Sequence, residues 1–148
     1  TDLKDLKLCD GGILPETERT KIDKSAKQAA QKLVAAGKYP TVDAAMGEAL
    51  FNLDVNSGAY SCARCHTQGW SYQSPGIPGQ GAFGWNLTGG STPSHFPSEQ
   101  DMIDFIKSGS VLGQRYGKQS QGTGRMPGFG GLLSDEQIKA IVEYVRSL

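Results

Sequence analysis

Long hydrophobic runs are missing from this chain. No stretch of eighteen apolar residues occurs in its 148, so no membrane-spanning helix is expected. A surplus of positive charge is missing as well: fifteen Lys and Arg stand against fifteen Asp and Glu. That balance excludes binding driven by phosphate neutralisation, and with it a nucleic-acid partner. No alternation of apolar and polar residues marks a strand, which leaves an all-α fold. Cysteine is scarce and odd in number: two of the three stand in one motif and Cys9 is left over. Cys9 is either a thiol without a partner or one paired to another chain in an oxidising setting. Thr1 opens the sequence without a charged and apolar leader. The expectation is that any export signal or membrane anchor lies outside what can be read.

Glycine is abundant instead. Seven of the twenty fall between Gly69 and Gly90, together with Pro75 and Pro78. From Gly69 to Ser94 no amphipathic period appears, and so long a structureless stretch in a compact domain is usually functional or disordered. A cofactor to wrap would explain it. On either side the pattern is helical. Ile22, Ala26, Ala29, Leu33 and Val34 recur at helical spacing and predict a helix over about 17–36, with Gly37 as its stop. Thr20 and Asp23 offer a capping box for a late start. A second helix is expected from Thr41, carrying Ala44, Ala45, Leu50 and Phe51, before the turn-rich Asn52 to Ser61. Ser98 with Asp101 opens a third, whose Met102, Ile103, Phe105 and Ile106 face inward until Gly109 ends it. The last begins at the Ser134/Gln137 capping box and aligns Ile138, Ile141, Val142 and Val145 on one stripe. The organisation read from this is an N-terminal extension, 1–40, followed by one domain, 41–148.

Chemistry enters with Cys62-Ala63-Arg64-Cys65-His66. C-x-x-C-H is the spacing of c-type haem attachment: two thiols add across the porphyrin vinyl groups and the adjoining imidazole reaches the iron. The motif occurs once and the chain has no internal repeat, so one covalent haem c is expected. A C-x-x-C pair is also found in redox disulfides and zinc sites. A zinc site would have to recruit Cys9 and His95, neither in a paired spacing, and a thioredoxin-like site would need a βαβ pattern.

A low-spin electron carrier needs a sixth ligand, and a thioether raises the potential by favouring Fe(II). Met126 is the candidate. It stands in Gly124-Arg125-Met126-Pro127-Gly128-Phe129, where the proline stiffens the backbone and the flanking glycines permit close approach to a planar ring. Met46 and Met102 fall inside predicted helices and read as core. His95, between Pro93 and Pro97 in an irregular segment, is the rival ligand and would make a bis-His centre. Tyr72, Trp85 and Arg115 are candidates to hydrogen-bond the propionates, although each serves equally well as a structural residue.

With both ends of the site read, residues 41 to 148 resemble the class I cytochrome c family. Gly47-Glu48-Ala49-Leu50-Phe51 is similar to its N-terminal helix, in which a glycine admits the C-terminal helix; Tyr144 would be the crossing partner. Gly84-Trp85-Asn86-Leu87-Thr88-Gly89 resembles the family's G-P-x-L-x-G turn, with Trp85 replacing the proline. Met102 to Gly109 looks like the middle helix, and Met126-Pro127 with Leu133-Ser134-Asp135-Glu136-Gln137 like the ligand loop and last helix. The resemblance implies a cytochrome c fold, His66 and Met126 as axial ligands, and Leu87, Trp85 and Phe129 packed on the haem. It also implies an extracytoplasmic location, periplasmic or on the outer face of the cytoplasmic membrane. Two features depart from the pattern: the gap between Phe51 and Cys62 is longer than the family's short connection, and residues 1–40 have no counterpart in the minimal fold.

With both axial positions filled, no coordination site is open to substrate, and the chain reads as an electron-transfer protein and not an enzyme. Its partners would be a redox donor and an acceptor. Lys107, Arg115, Lys118 and Arg125 lie between Phe105 and Ser134 with no acidic residue in that interval, and could form a basic docking rim. A carrier, soluble or tethered by a segment outside the chain, is the first reading. A fixed haem relay in a larger respiratory oxidoreductase is the second. A haem enzyme or sensor would require Met126 to be off the iron.

Overall fold

The computed structural model describes residues 15–53, 62–66, 87, 89–109, 126 and 128–148. Cys9, Tyr72, Trp85, Arg115, Lys118, Gly124, Arg125 and Pro127, all named above, lie outside them. Six helices and no strand are found among the described residues.

Helix α1 (Glu16–Ala35) begins a turn earlier than a Thr20 cap would allow. Pro15 occupies the N-cap position, where its missing N–H costs nothing, and Glu16 and Glu18 face the positive end of the helix. Thr20 is therefore interior, and its hydroxyl donates back to the Glu16 carbonyl at 2.9 Å. At the other end Gly37, at φ 78°, closes a Schellman motif: its N–H donates to the Val34 carbonyl and that of Lys38 to Leu33.

Helix α2 (Val42–Phe51) is capped by Thr41, whose side chain accepts from the Ala44 N–H at 3.1 Å. Helix α3 (Cys62–His66) is a little over one turn. Helix α4 (Ser91–His95) falls inside the stretch expected to be irregular; Gly90, at φ 72°, supplies the left-handed residue that starts it. His95 accordingly ends a helical turn and does not sit in irregular chain.

Helix α5 (Glu99–Ser108) takes half of its expected capping box, the Ser98 side chain accepting from the Asp101 N–H. Met102 and Ile106 are buried; Ile103 and Phe105 are only half-buried, and Phe105 pairs with Phe96 at 5.3 Å between ring centres. Helix α6 (Asp135–Arg146) has both halves of its capping box, and all four residues of its stripe are buried. Fully burying such a side chain contributes about 1.5–3 kcal/mol, so this helix is held by its stripe.

Helix α2 lies against α1 on one side and crosses α6 on the other, while α6 also meets α4 and α5. Ile22 and Ala26 of α1, Leu50 and Phe51 of α2, Met102 and Ile106 of α5 and the α6 stripe form one core. A second, smaller cluster of Ala30, Ala45 and Ala49 lets α1 and α2 approach closely. Helix α1 thus contributes to the same core as α6, and Gln137 donates to Asp23 across the two at 3.3 Å.

Candidate haem-binding site

In a helix, residues three and four apart share a face. Positions 62, 65 and 66 of α3 obey that rule, since Cys65 follows Cys62 by three and His66 by four. Positions 65 and 66 are therefore both neighbours of position 62 along the helix. Cys62 and Ala63 are half-buried and pack against the main core, and His66 is half-buried too.

The same core receives Met126, Leu87 and Phe129. Met126 and Leu87 are half-buried at its edge, whereas Phe129 is enclosed, with 5% of its surface exposed. Ile106 and Ile141 are likewise enclosed by protein. A cofactor face would accordingly draw on Cys62, Leu87 and Met126, which pack against the core but stay partly exposed. The donor set fits that group: thiols for the vinyls, an imidazole and a soft thioether for the iron.

Backbone hydrogen bonds hold the segment that follows Met126. The Phe129 N–H donates to the Ile106 carbonyl at 2.9 Å and the Gly130 N–H to Lys107 at 3.0 Å, both at the end of α5. The Phe129 carbonyl in turn accepts from Leu132 and Leu133, which turns the chain into α6. A Cβ on Gly128 would stand 2.8 Å from the Ser108 carbonyl oxygen. Gly128, expected to admit a ring, admits the backbone of α5.

Of the expected basic rim, only Lys107 lies in the described residues. Its ammonium is 3.0 Å from the Asp135 carboxylate, one residue beyond the acid-free interval, so its charge is met within the chain. Burial lowers the His95 imidazole below its ordinary pKa and favours its neutral form. Among the described residues, no three His, Cys, Asp or Glu side chains lie together as a metal would need. No helix among them is long and apolar enough to cross a membrane.

A polar cluster beside the core was not legible in the sequence. Glu48 is buried with 8% of its surface exposed, and Lys38 donates to its Oε1 at 2.5 Å. Its Oε2 is buried and accepts no hydrogen bond. Tyr144, whose pKa is pushed up to about 12, owes this first to burial and then to the Glu48 charge, with Tyr39 and a hydrogen bond to Glu48 adding to it. A signal did exist: Glu48 sits between Gly47 and Ala49, in a run where every neighbour is small or apolar.

Residues 42–145 match the family described as Cytochrome C oxidase, cbb3-type, subunit III. The match opens on the first residue of α2 and closes in the last turn of α6, leaving α1 outside it. No curated protein and no solved structure matches the chain.

Proposed function

The chain belongs to the Cytochrome C oxidase, cbb3-type, subunit III family, a class I c-type cytochrome family that binds haem c covalently and transfers electrons; on that premise we propose that it is a mono-haem electron carrier with His66 and Met126 as axial ligands. Cys62 and Cys65 carry the two thioether bonds. The observation that supports this reading best is that Cys62, Leu87 and Met126 are each half-buried and pack against the same core.

The haem supplies the one-electron Fe(III)/Fe(II) couple. His66 is oriented by the turn that also holds the thiols. Met126 favours Fe(II) through its soft sulfur, and the apolar residues around it favour the less charged state by excluding water. Two protein ligands leave no position for a substrate, so the chain moves electrons and is not itself an enzyme. Its partners are a redox donor and an acceptor, and it works on the extracytoplasmic side of a membrane.

The match to an oxidase subunit supports a second form of the same chemistry, a fixed relay within a respiratory complex. Co-migration with large membrane subunits in a native gel supports the relay, and recovery as a lone haem protein supports the carrier. The ligand assignment is tested by the visible and near-infrared spectrum. A sulfur-to-iron charge-transfer band in the oxidised wild type, lost in Met126→Ala, is the expected result. Its absence from the wild type, with rapid carbon monoxide binding, would instead make the iron site open and the enzyme or sensor reading correct.

A further inference from the structure

A helix ends with four carbonyls that have no partner in its own next turn. In α5 these belong to Phe105, Ile106, Lys107 and Ser108. The first is taken by the C-cap, Gly109, whose N–H donates to Phe105 at 2.7 Å. The next two are taken from far along the sequence, by Phe129 and Gly130. The helix end is thus completed by the chain three and four residues beyond Met126.

The contact leaves no room for side chains. A Cβ on Gly128 would lie 2.8 Å from the Ser108 oxygen, 2.9 Å from the Lys107 oxygen and 2.9 Å from the Ser108 carbonyl carbon. On Gly130 it would lie 3.0 Å from the Lys107 oxygen. These obstacles are backbone, so they cannot swing aside as the tip of a side chain would. Either the 128–130 segment lifts away and both hydrogen bonds lengthen, or the last turn of α5 unwinds. Lys107 also reaches across to α6, its ammonium 3.0 Å from the Asp135 carboxylate in that helix's first turn.

We infer that Gly128 and Gly130 are positioning residues for the axial methionine: by letting the loop bond to the end of α5, they fix the backbone two residues from Met126. The inference rests on the reading of Met126 as a ligand. If the loop lifts, the sulfur's hold on the iron is weakened by an equilibrium between engaged and released loops, and an external ligand competes in proportion to the released fraction. The anchor then acts on affinity and potential, beyond any effect on folding.

The test uses the oxidised holoprotein and imidazole as the competing ligand. In Gly128→Ala the sulfur-to-iron band should weaken, the apparent imidazole affinity should rise by about tenfold or more, and the potential should fall. Gly130→Ala, where the clash is milder, should shift the same readings less, and it serves if the first variant does not fold. Gly37→Ala is the control. Its φ of 78° strains an alanine while the surrounding space is open, so it should lower thermal stability and leave the band and imidazole affinity as in the wild type. Folded Gly128→Ala and Gly130→Ala proteins with wild-type band and affinity would overturn the inference. So would Gly37→Ala showing the same changes at an equal loss of stability, because the effect would then be general. A wild-type protein without the band overturns the ligand assignment first, and that outcome is visible before any variant is made.

Discussion

Gly47 and Tyr144 touch where α2 crosses α6: a Cβ on Gly47 would stand 2.6 Å from the Cβ of Tyr144 and would also strike the Ala140 carbonyl. The crossing is finished by Phe51, whose ring centre is 5.4 Å from that of Tyr144 at a tilt of 58°. The absence of a side chain at 47 therefore sets the distance between two helices that both carry core residues. Gly47→Ala should destabilise the protein by about 1–3 kcal/mol, the range for overpacking, despite alanine's better helix propensity. Denaturant titration of the holoprotein measures it, and an unchanged midpoint would show that the crossing has slack.

Lys38 and Glu48 give a second prediction. The Lys38 side chain is 56% exposed and that of Glu48 10%, so the lysine alone loses little solvation in making the pair. Removing it strands a buried carboxylate, and Lys38→Met should cost about 1–3 kcal/mol. Adding Glu48→Gln to that variant should restore part of the loss. A double-mutant cycle measures the coupling; simple additivity would mean that Glu48 is hydrated in solution.

What was legible in the sequence was local. The Ser134/Gln137 box and the stripe of α6 lie within one segment, as do the C-x-x-C-H spacing, the helix start near Thr41 and the Ser98 cap, so period and capping rules reach them. Gly47 with Tyr144 was legible only through family resemblance. Thr20 misled because a capping residue inside a helix can bond back to the preceding turn, and here it does. Helix α4 escaped notice because it is five residues long and contains a proline. The burial of Glu48 depends on α1 arriving beside α2. The anchor of the Met126 loop depends on pairing 106 with 129, which no local pattern encodes.

Alkaline pH provides a third test, and its sign follows from Tyr144. Its folded-state pKa, about 12, lies above the ordinary 10.0, so the unfolded chain gives up the phenolic proton first. The stability this contributes is fully present below pH 10 and is lost as pH climbs towards 12. Tyr39, raised by burial and by Glu48, acts in the same direction. The denaturation midpoint should hold level up to about pH 10 and then fall. In Tyr144→Phe the fall should be shallower but not absent, because Tyr39 remains. A fall of wild-type steepness in that variant would place the alkaline transition elsewhere.

The attachment site yields the last prediction, which separates the two sulfurs from the imidazole. Each thioether bond removes one vinyl group from conjugation with the porphyrin, so the absorption of the pyridine complex counts the bonds directly. Wild-type protein should give the spectrum of two saturated vinyls, at one haem per chain, and acidified acetone should extract none. Cys62→Ser and Cys65→Ser should each show one remaining vinyl and still retain the haem, since a single covalent bond is enough to hold it. The double variant should release it. His66→Ala acts differently, because the thiols survive: any haem attached should keep two saturated vinyls while losing the low-spin spectrum that two strong axial ligands impose. If Cys65→Ser instead retained two saturated vinyls, the second thioether would have to come from another thiol, and Cys9 is the one other cysteine in the sequence.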